Sequence, residues 1–281
     1  QVSQLFNMSS QKLSLEEKLR RERMRMFVDG VATYEWCKSS IDGQEFMMIP
    51  MGEKIIIYDR KTDRLCCLYD GSLGSFVDPH VSPTGNSLIF VINKDMYMIP
   101  LNLNALITFN DSINAPDWAK PLRLTRSGEV DGISCGLADY VAQEEMDRYR
   151  GFWYSPDGHS VAYTLVDETC VSEYNIAHQG KDDPAHTELH RYPFAGTANP
   201  KVKLAVMNIP IVICKGNEGV EIQYTDGSSS SRSSSSSSSN LVEDTSVWMD
   251  LEDSSWEDKE YYLARCDWWP DGSVMAQVED R

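Results

Sequence analysis

The stretch SPDGHSVAYTLVD, at residues 155–167, carries the pattern from which the fold is predicted. Its Ser-Pro-Asp-Gly tetrad indicates a turn, because proline presets the backbone at one turn position and glycine accepts a positive φ at another. A run rich in β-branched residues follows, as in a strand. Related tetrads stand at residues 82–85 (SPTG) and 269–272 (WPDG), each before a similar run. A strand, a turn and a second strand therefore recur, which predicts the blades of a β-propeller.

The remainder of the chain supports an all-β fold class. From about residue 31 onward, short runs such as KIIIYD and SLIFVI alternate with turn residues. We expect a partial, truncated β-propeller over residues 31–281, in which about five blades of roughly 40–50 residues would fit. A β-sandwich is the alternative that this strand pattern leaves open.

Two segments depart from the strand pattern. Residues 12–27, within an N-terminal tail of residues 1–30, are basic, and Ser14 followed by Glu17 forms a capping box, so we expect an N-terminal helix. Residues 228–239 contain eleven serines and one arginine. Such a tract has no apolar surface to bury, and we expect a disordered Ser-rich insertion near 226–240.

The charge balance narrows the classes of partner. The chain has 26 basic and 43 acidic residues, a net charge of −17, which disfavours a nucleic-acid partner because phosphate binding needs clustered cations. No apolar run approaches the roughly 18 residues of a membrane span, so no membrane partner is expected. Seven cysteines without a C-x-x-C pair suggest reduced thiols and a cytoplasmic location. Two N-x-S sequons, at Asn7 and Asn110, leave secretion as a minority interpretation.

Two motifs match known catalytic or metal-binding patterns, but the sequence around each does not favour such a site. Gly132–Gly136 reads Gly-Ile-Ser-Cys-Gly, which matches a nucleophile elbow at Ser134. The strands look antiparallel, without the βαβ alternation of that context, so a chance match is favoured over an esterase. His186 and His190 have the i, i+4 spacing of a helical metal site, but their proline-rich surroundings predict a loop and a strand. We therefore expect no metal and no cofactor.

Residues 139–150 (DYVAQEEMDRYR) predict a short acidic helix inserted between strands. Glu144 and Glu145 are adjacent, and paired carboxylates repel unless a cation or a proton lies between them. A substrate ammonium would be such a cation, donating charge-assisted hydrogen bonds to both. The alternative is a solvated helix face, balanced by Arg148 and Arg150.

Two longer stretches resemble a known family. GLADYVAQEEMDRYRGFWYSPDG (residues 136–158), followed by HRYPFAGTANPKVKLAVMNI (residues 190–209), resembles the propeller of the dipeptidyl peptidase IV family. The Gln-Glu-Glu-x-Asp-Arg-Tyr form and the LRRERMRMF segment at residues 19–27 are most similar to the cytosolic dipeptidyl peptidases 8 and 9.

The resemblance implies an eight-bladed propeller that precedes an α/β-hydrolase domain. The Ser/Asp/His triad of that domain is absent from this chain, so we expect the natural protein to continue beyond Arg281. Glu144 and Glu145 would bind the α-ammonium of a peptide substrate, and the enzyme would release dipeptides after Pro or Ala. A homodimer of the full-length protein is also expected. The family further uses a propeller arginine on the substrate carbonyl, for which the candidates are Arg60, Arg64 and Arg148.

A second hypothesis remains open at this stage. A non-catalytic propeller that binds partner proteins would share the same strand pattern. The residues that follow this chain would distinguish the two, because an elbow serine there would exclude the non-catalytic reading.

Overall fold

A computed structural model describes most of the chain. It covers residues 13–26, 31–39, 41–109, 114–177, 187–214, 220–223, 245–251 and 260–280. The predicted Ser-rich insertion near 226–240 and residues 1–12 of the tail lie outside the described residues.

Helix α1 (Leu15–Arg23) precedes the strands and is shorter than the predicted segment of residues 12–27. The capping box is confirmed, because Ser14 Oγ accepts a hydrogen bond from the backbone N–H of Glu17 at 3.2 Å. None of the described helices is long and apolar enough to cross a membrane.

Two four-stranded antiparallel sheets follow, each with its strands paired in chain order. The first sheet, blade one, consists of β1 (Glu35–Lys38), β2 (Glu45–Met51), β3 (Lys54–Asp59) and β4 (Arg64–Tyr69). The second, blade two, consists of β5 (Val77–Val81), β6 (Ser87–Ile92), β7 (Asp95–Pro100) and β8 (Leu122–Arg123), with helix α2 (Leu103–Thr108) between the last two strands. Consecutive up-and-down sheets of this kind are propeller blades, which confirms the predicted fold class.

Blade three has the same order but carries long insertions. It contains β10 (Phe152–Tyr154), β11 (Ser160–Asp167), β14 (Lys201–Asn208) and β17 (Val247–Trp248), and β9 (Ile133–Cys135) also pairs with β11. Inserted within it are helix α3 (Tyr140–Glu145) and the hairpins β12 (Glu173–Ala177) with β13 (Thr187–Arg191) and β15 (Ile211–Cys214) with β16 (Val220–Gln223). A further hairpin, β18 (Tyr261–Trp268) with β19 (Val274–Asp280), follows.

The expectation of about five blades is therefore wrong for the described residues. They form three blades and one further hairpin, because the insertions of blade three take up length that two ordinary blades would occupy.

The three turn tetrads occupy equivalent places. Each joins two consecutive paired strands (β5 and β6, β10 and β11, β18 and β19), and in each the glycine N–H donates to the carbonyl three residues earlier. These hydrogen bonds are 2.9 Å for Gly85, 2.9 Å for Gly158 and 3.0 Å for Gly272. The three glycines have φ values of 70°, 70° and 84°. The tetrads thus mark turns in blades two and three and in the further hairpin, whereas blade one has no such tetrad between β1 and β2.

The core lies between blades that pack face to face. All six residues of β6 are buried, and they alternate between its two neighbours. Leu88, Phe90 and Ile92 join a cluster with blade one, whereas Ile89 and Val91 join a cluster with blade three. This double burial explains why the strand is apolar at every residue from Leu88 to Ile92 rather than at every second residue.

Five of the described cysteines are buried in the core: Cys37, Cys66, Cys67, Cys135 and Cys266. Cys37, Cys66 and Cys266 are buried free thiols, and burial raises the pKa of Cys37 and of Cys266 to about 12. These three agree with the predicted reduced state.

Candidate functional site

Helix α3 presents the paired glutamates, and local contacts define both of its ends. Asp139 Oδ1 accepts a hydrogen bond from the N–H of Ala142 at 3.0 Å and so caps the first turn. Asp147, just past the helix, has a φ of 51° and turns the chain away. The predicted short helix is confirmed, and both Glu144 and Glu145 lie in its last turn, exposed to solvent.

Two glutamates at the C-terminal end of a helix favour the binding of a cation there. The carbonyls of the last turn have no partners within the helix and carry partial negative charge, and the two carboxylates add to it. Arg265 compensates part of this negative charge, because its Nη1 donates to the carbonyl of Met146 at 2.5 Å.

Arg148 fixes the position of α3 rather than facing solvent or a substrate. Its side chain is only 4% exposed. Nε donates to the carbonyl of Leu263 at 3.0 Å, Nη1 to the carbonyl of Arg150 at 3.0 Å, and Nη2 to Asp139 Oδ2 at 3.2 Å. The interpretation of Arg148 as a balancing surface charge is therefore wrong, and its guanidinium is already committed within the protein.

Arg60 and Arg64, the other two arginines considered, belong to blade one. Arg60 is exposed at the turn between β3 and β4, and Arg64 Nη2 donates to the carbonyl of Phe109 at 3.1 Å. The structure does not bring either of them to α3 through a described contact.

Arg23 of helix α1 is the arginine that lies against Glu144. Its Nε is 3.3 Å from Glu144 Oε1, and its Nη1 donates to Gln143 Oε1 at 2.9 Å. Its guanidinium carbon lies 4.9 Å from the ring centre of Tyr140, in the range of a cation–π contact. One arginine thus contacts three residues of α3.

The two glutamates differ in their partners. Glu144 pairs with Arg23 and its side chain is 37% exposed. Glu145 is also exposed, and within the described part of the chain its carboxylate has no ion pair or hydrogen bond. Two carboxylates and one guanidinium leave one net negative charge at this surface.

A cavity of about 260 Å³ lies beside this contact. Helix α1 and helix α3 form part of its wall, and the β12–β13 hairpin forms another part. Tyr140 lines it, and burial together with the neighbouring Tyr192 raises the pKa of Tyr140 to about 12. Glu168 also lines it, and burial raises the pKa of that carboxyl. The cavity is therefore partly desolvated and adjoins the charged surface.

The two weaker motifs are not assembled into sites. Ser134 lies within strand β9, paired with Val166, and not on a strand-to-helix turn. His190 lies on strand β13 with Nε2 3.4 Å from Glu188 Oε2, so it lacks the helical geometry of the i, i+4 spacing, and His186 lies outside the described residues. Across the described residues, no group of three His, Cys, Asp or Glu side chains could hold a metal ion.

The sequence left the partners of α3 unassigned. Arg23 was visible only as one of several cations in a basic helix, and nothing local connects it to a residue 120 positions later. The sequence signal that connects this helix with α3 is that residues 19–27 and the segment with the paired glutamates both resemble the same family.

Comparisons with known proteins cover most of the chain. The family described as "Dipeptidyl peptidase IV (DPP IV) N-terminal region" matches residues 44–281. The chain is 31% identical to dipeptidyl peptidase 8 of Homo sapiens over 219 residues, which covers 70% of this chain and 22% of that protein. It is 32% identical to venom dipeptidyl peptidase 4 of Vespa velutina over 136 residues, which covers 46% of this chain and 16% of that protein.

A solved structure extends the likeness to the fold. The crystal structure of Porphyromonas gingivalis dipeptidyl peptidase 4 superposes with a TM-score of 0.57 at 18% identity, covering 89% of this chain and 29% of that one. At this identity the match shows the fold alone. The aligned parts span 22% or less of the length of the two curated relatives.

Proposed function

Because the chain belongs to the dipeptidyl peptidase IV family, as part of its N-terminal region, we propose that it is the substrate-recognition propeller of a serine dipeptidyl aminopeptidase. The full-length enzyme would release dipeptides after Pro or Ala, with its Ser/Asp/His triad in an α/β-hydrolase domain outside this chain. A cytoplasmic location and a homodimer form part of the same proposal. The observation that carries it is the contact of Arg23 with the glutamate-bearing helix α3.

The charge at α3 suits one peptide ammonium. Glu144, Glu145 and Arg23 sum to one negative charge, which a single α-ammonium neutralises. Glu145 is the carboxylate without a described partner and is free to accept its hydrogen bonds. Charge-assisted hydrogen bonds of this type are the strongest that a peptide amine can donate.

Arg23 supplies the second point of attachment. Its Nε and Nη1 are directed to Glu144 and Gln143, and within the described residues Nη2 has no hydrogen-bond partner. A guanidinium has five N–H donors, so Nη2 can donate to a peptide carbonyl while the other contacts persist. We assign to Arg23 the carbonyl contact for which the sequence offered Arg60, Arg64 and Arg148.

Two contacts would set the register of the peptide. An ammonium held at Glu145 and a carbonyl held at Arg23 fix the first residue in place and direction. The chain would then enter the catalytic domain at a constant distance from its N-terminus, which is why a dipeptide would leave. Positioning of this kind lowers the barrier without contact with the reacting atoms.

The test measures dipeptide release by the full-length protein. Glu145→Gln keeps the shape and removes the charge, and kcat/KM should fall by about 10- to 100-fold, or ~1.5–3 kcal/mol, the scale of a hydrogen bond to a charged group. Glu144→Gln should lower it as well. Glu45→Gln, an exposed glutamate of strand β2, is the matched control and should leave it unchanged.

The substrate offers a second arm of the same test. Acetylation of the peptide N-terminus removes the ammonium and should abolish the difference between the wild type and Glu145→Gln. Full activity of Glu145→Gln on free peptides would refute the assignment of the glutamates. A wild-type protein that releases no dipeptide at all would instead favour the non-catalytic propeller.

A further inference from the structure

Helix α1 carries Arg23, and its attachment to the propeller is polar. Among its residues only Glu17 is buried, and Leu15 is 44% exposed. The helix packs against strand β5 and helix α3. Since no apolar side chain of the helix is buried, its position depends on charged contacts.

The principal contact joins Arg20 to Asp78 of strand β5. Arg20 Nη2 lies 2.5 Å from Asp78 Oδ1, and the two side chains are only 17% and 5% exposed. Burial raises the pKa of Asp78, but Arg20 and His80 outweigh it and hold the pKa well below its usual value. This ion pair is more shielded from solvent than an ordinary surface pair, so it is less weakened by screening.

Asp78 has an unusual backbone conformation. Its φ is 50°, in the left-handed region, and Pro79 follows it. Aspartate and asparagine tolerate this region better than most residues, and strain of this kind tends to occur where a side chain must be aimed.

His80 connects Asp78 to blade one. Its Nε2 lies 3.1 Å from Asp78 Oδ1, and its Nδ1 lies 3.1 Å from Glu35 Oε2 on strand β1. A carboxylate at each ring nitrogen requires both nitrogens to donate, which is the imidazolium form. Arg150 Nη2, 3.2 Å from Nδ1, opposes that form, but the two carboxylates outweigh it. Burial alone would lower the pKa of His80, whereas Asp78 and Glu35 raise it to about 9.

We propose that Asp78 and His80 form a latch that holds helix α1 in place and thereby positions Arg23 against helix α3. Arg20 and Arg23 are three residues apart and so lie on the same side of the helix. One binds the latch and the other contacts Glu144 and Gln143. Asp78 and His80 are positioning residues and touch no substrate. The effect on catalysis rests on the proposed function of Arg23, whereas the docking of the helix does not.

The latch also controls access to the cavity beside α3. Leu15, Leu19, Arg20 and Arg23 form the wall of the cavity on the α1 side. If the helix were released, Arg23 would move away from α3 and the cavity would lose its wall on the α1 side at the same time. Both consequences follow from one buried ion pair.

Hydrogen exchange on the full-length protein tests the docking. Asp78→Asn keeps a residue that tolerates the left-handed backbone and removes the charge. Backbone amides of residues 15–23 should then exchange about tenfold faster, the equivalent of losing one charged hydrogen bond. Asp63→Asn is a matched control, because Asp63 has a φ of 53° and is exposed in blade one, away from α1. Equal exchange of α1 in both variants would overturn the latch.

The protonation of His80 tests separately its bridge between Asp78 and Glu35. The stabilisation of the folded protein by the imidazolium is complete below about pH 6.5 and is lost as the pH rises through about 9. The free energy of unfolding of the wild type should therefore fall over this range, and His80→Gln should be less stable near pH 6 and lack this fall. A wild-type profile without the fall, or the same fall in His80→Gln, would refute the role of His80.

Kinetics separates the latch from the proposed function. Asp78→Asn should raise KM for a dipeptidyl substrate about tenfold and change kcat less, because Arg23 binds the peptide away from the reacting bond. If Asp78→Asn frees the helix but Glu145→Gln leaves turnover unchanged, the latch stands and the function proposed for α3 falls. If Glu145→Gln loses activity but Asp78→Asn leaves α1 protected, the latch falls and the function stands.

Discussion

The blades and the layer formed by α1 and α3 are held together by different forces. Between the blades, strands such as β6 are buried on both faces, and the contacts are apolar. In the helical layer the decisive contacts are polar: Arg20 with Asp78, Arg23 with Glu144, and Arg148 with Asp139. Apolar burial is non-directional and tolerates small shifts, whereas these ion pairs need a fixed geometry. The blades therefore provide stability, and the helical layer provides a charged surface whose position is defined by a few atoms.

The largest effect on stability is expected inside the blades. Phe90 is fully buried, and its ring centre lies 5.2 Å from that of Tyr69 and 6.1 Å from that of Phe76. Phe90→Ala should lower the free energy of unfolding by about 3–5 kcal/mol, measured by denaturant titration. Phe194→Ala, at an exposed aromatic, should cost about 1 kcal/mol or less. Similar losses in the two variants would contradict the division between blade core and surface.

The second-largest effect on stability is expected at Arg148, the buried arginine that anchors α3. Arg148→Met fills a similar volume but leaves the carboxylate of Asp139 without its cation, and the carbonyl of Leu263 without its donor. We expect a loss of about 3 kcal/mol in stability, because a buried charge deprived of its partner is costly. Arg150→Met, at an exposed neighbour, is the control and should have a smaller effect. A stable Arg148→Met protein with unchanged KM would show that α3 does not depend on this anchor.

The same division explains how much could be predicted from the sequence. The turn tetrads, the capping box at Ser14 and the helix at residues 140–145 depend on near neighbours, and the pattern indicated each of them correctly. The contacts of the helical layer join residues 58, 115 and 120 positions apart. A charged side chain carries no periodicity that reveals its partner at such a distance. No local pattern therefore identifies Arg23 as the arginine that lies beside Glu144, although the helix that carries it is predicted.

A third prediction concerns the close approach between blades. Gly85 and Gly43 have φ values of 70° and 71°, but a Cβ on Gly85 would lie 1.7 Å from the carbonyl oxygen of Lys38, whereas a Cβ on Gly43 would meet nothing within 4 Å. Gly43→Ala should cost only the strain of a left-handed residue, about 1 kcal/mol. Gly85→Ala should cost about 2–3 kcal/mol, because the turn must also move away from blade one. Equal losses in thermal or chemical unfolding would mean that the turn between β5 and β6 can shift freely.

The smallest change in stability should accompany one of the largest changes in activity. Arg23 pairs with Glu144, whose side chain is 37% exposed, so Arg23→Ala should lower the free energy of unfolding by only about 1 kcal/mol. The same variant should reduce kcat/KM of the full-length protein about tenfold or more, because a substrate carbonyl loses a charged donor. Arg60→Ala removes an exposed arginine of blade one and should alter neither quantity. Arg23→Lys should restore little activity, since an ammonium cannot reach Gln143, Glu144 and a peptide carbonyl with the planar geometry of a guanidinium. If Arg60→Ala lost activity and Arg23→Ala did not, the carbonyl contact would belong to blade one, and the helical layer would lose its assigned role in recognition.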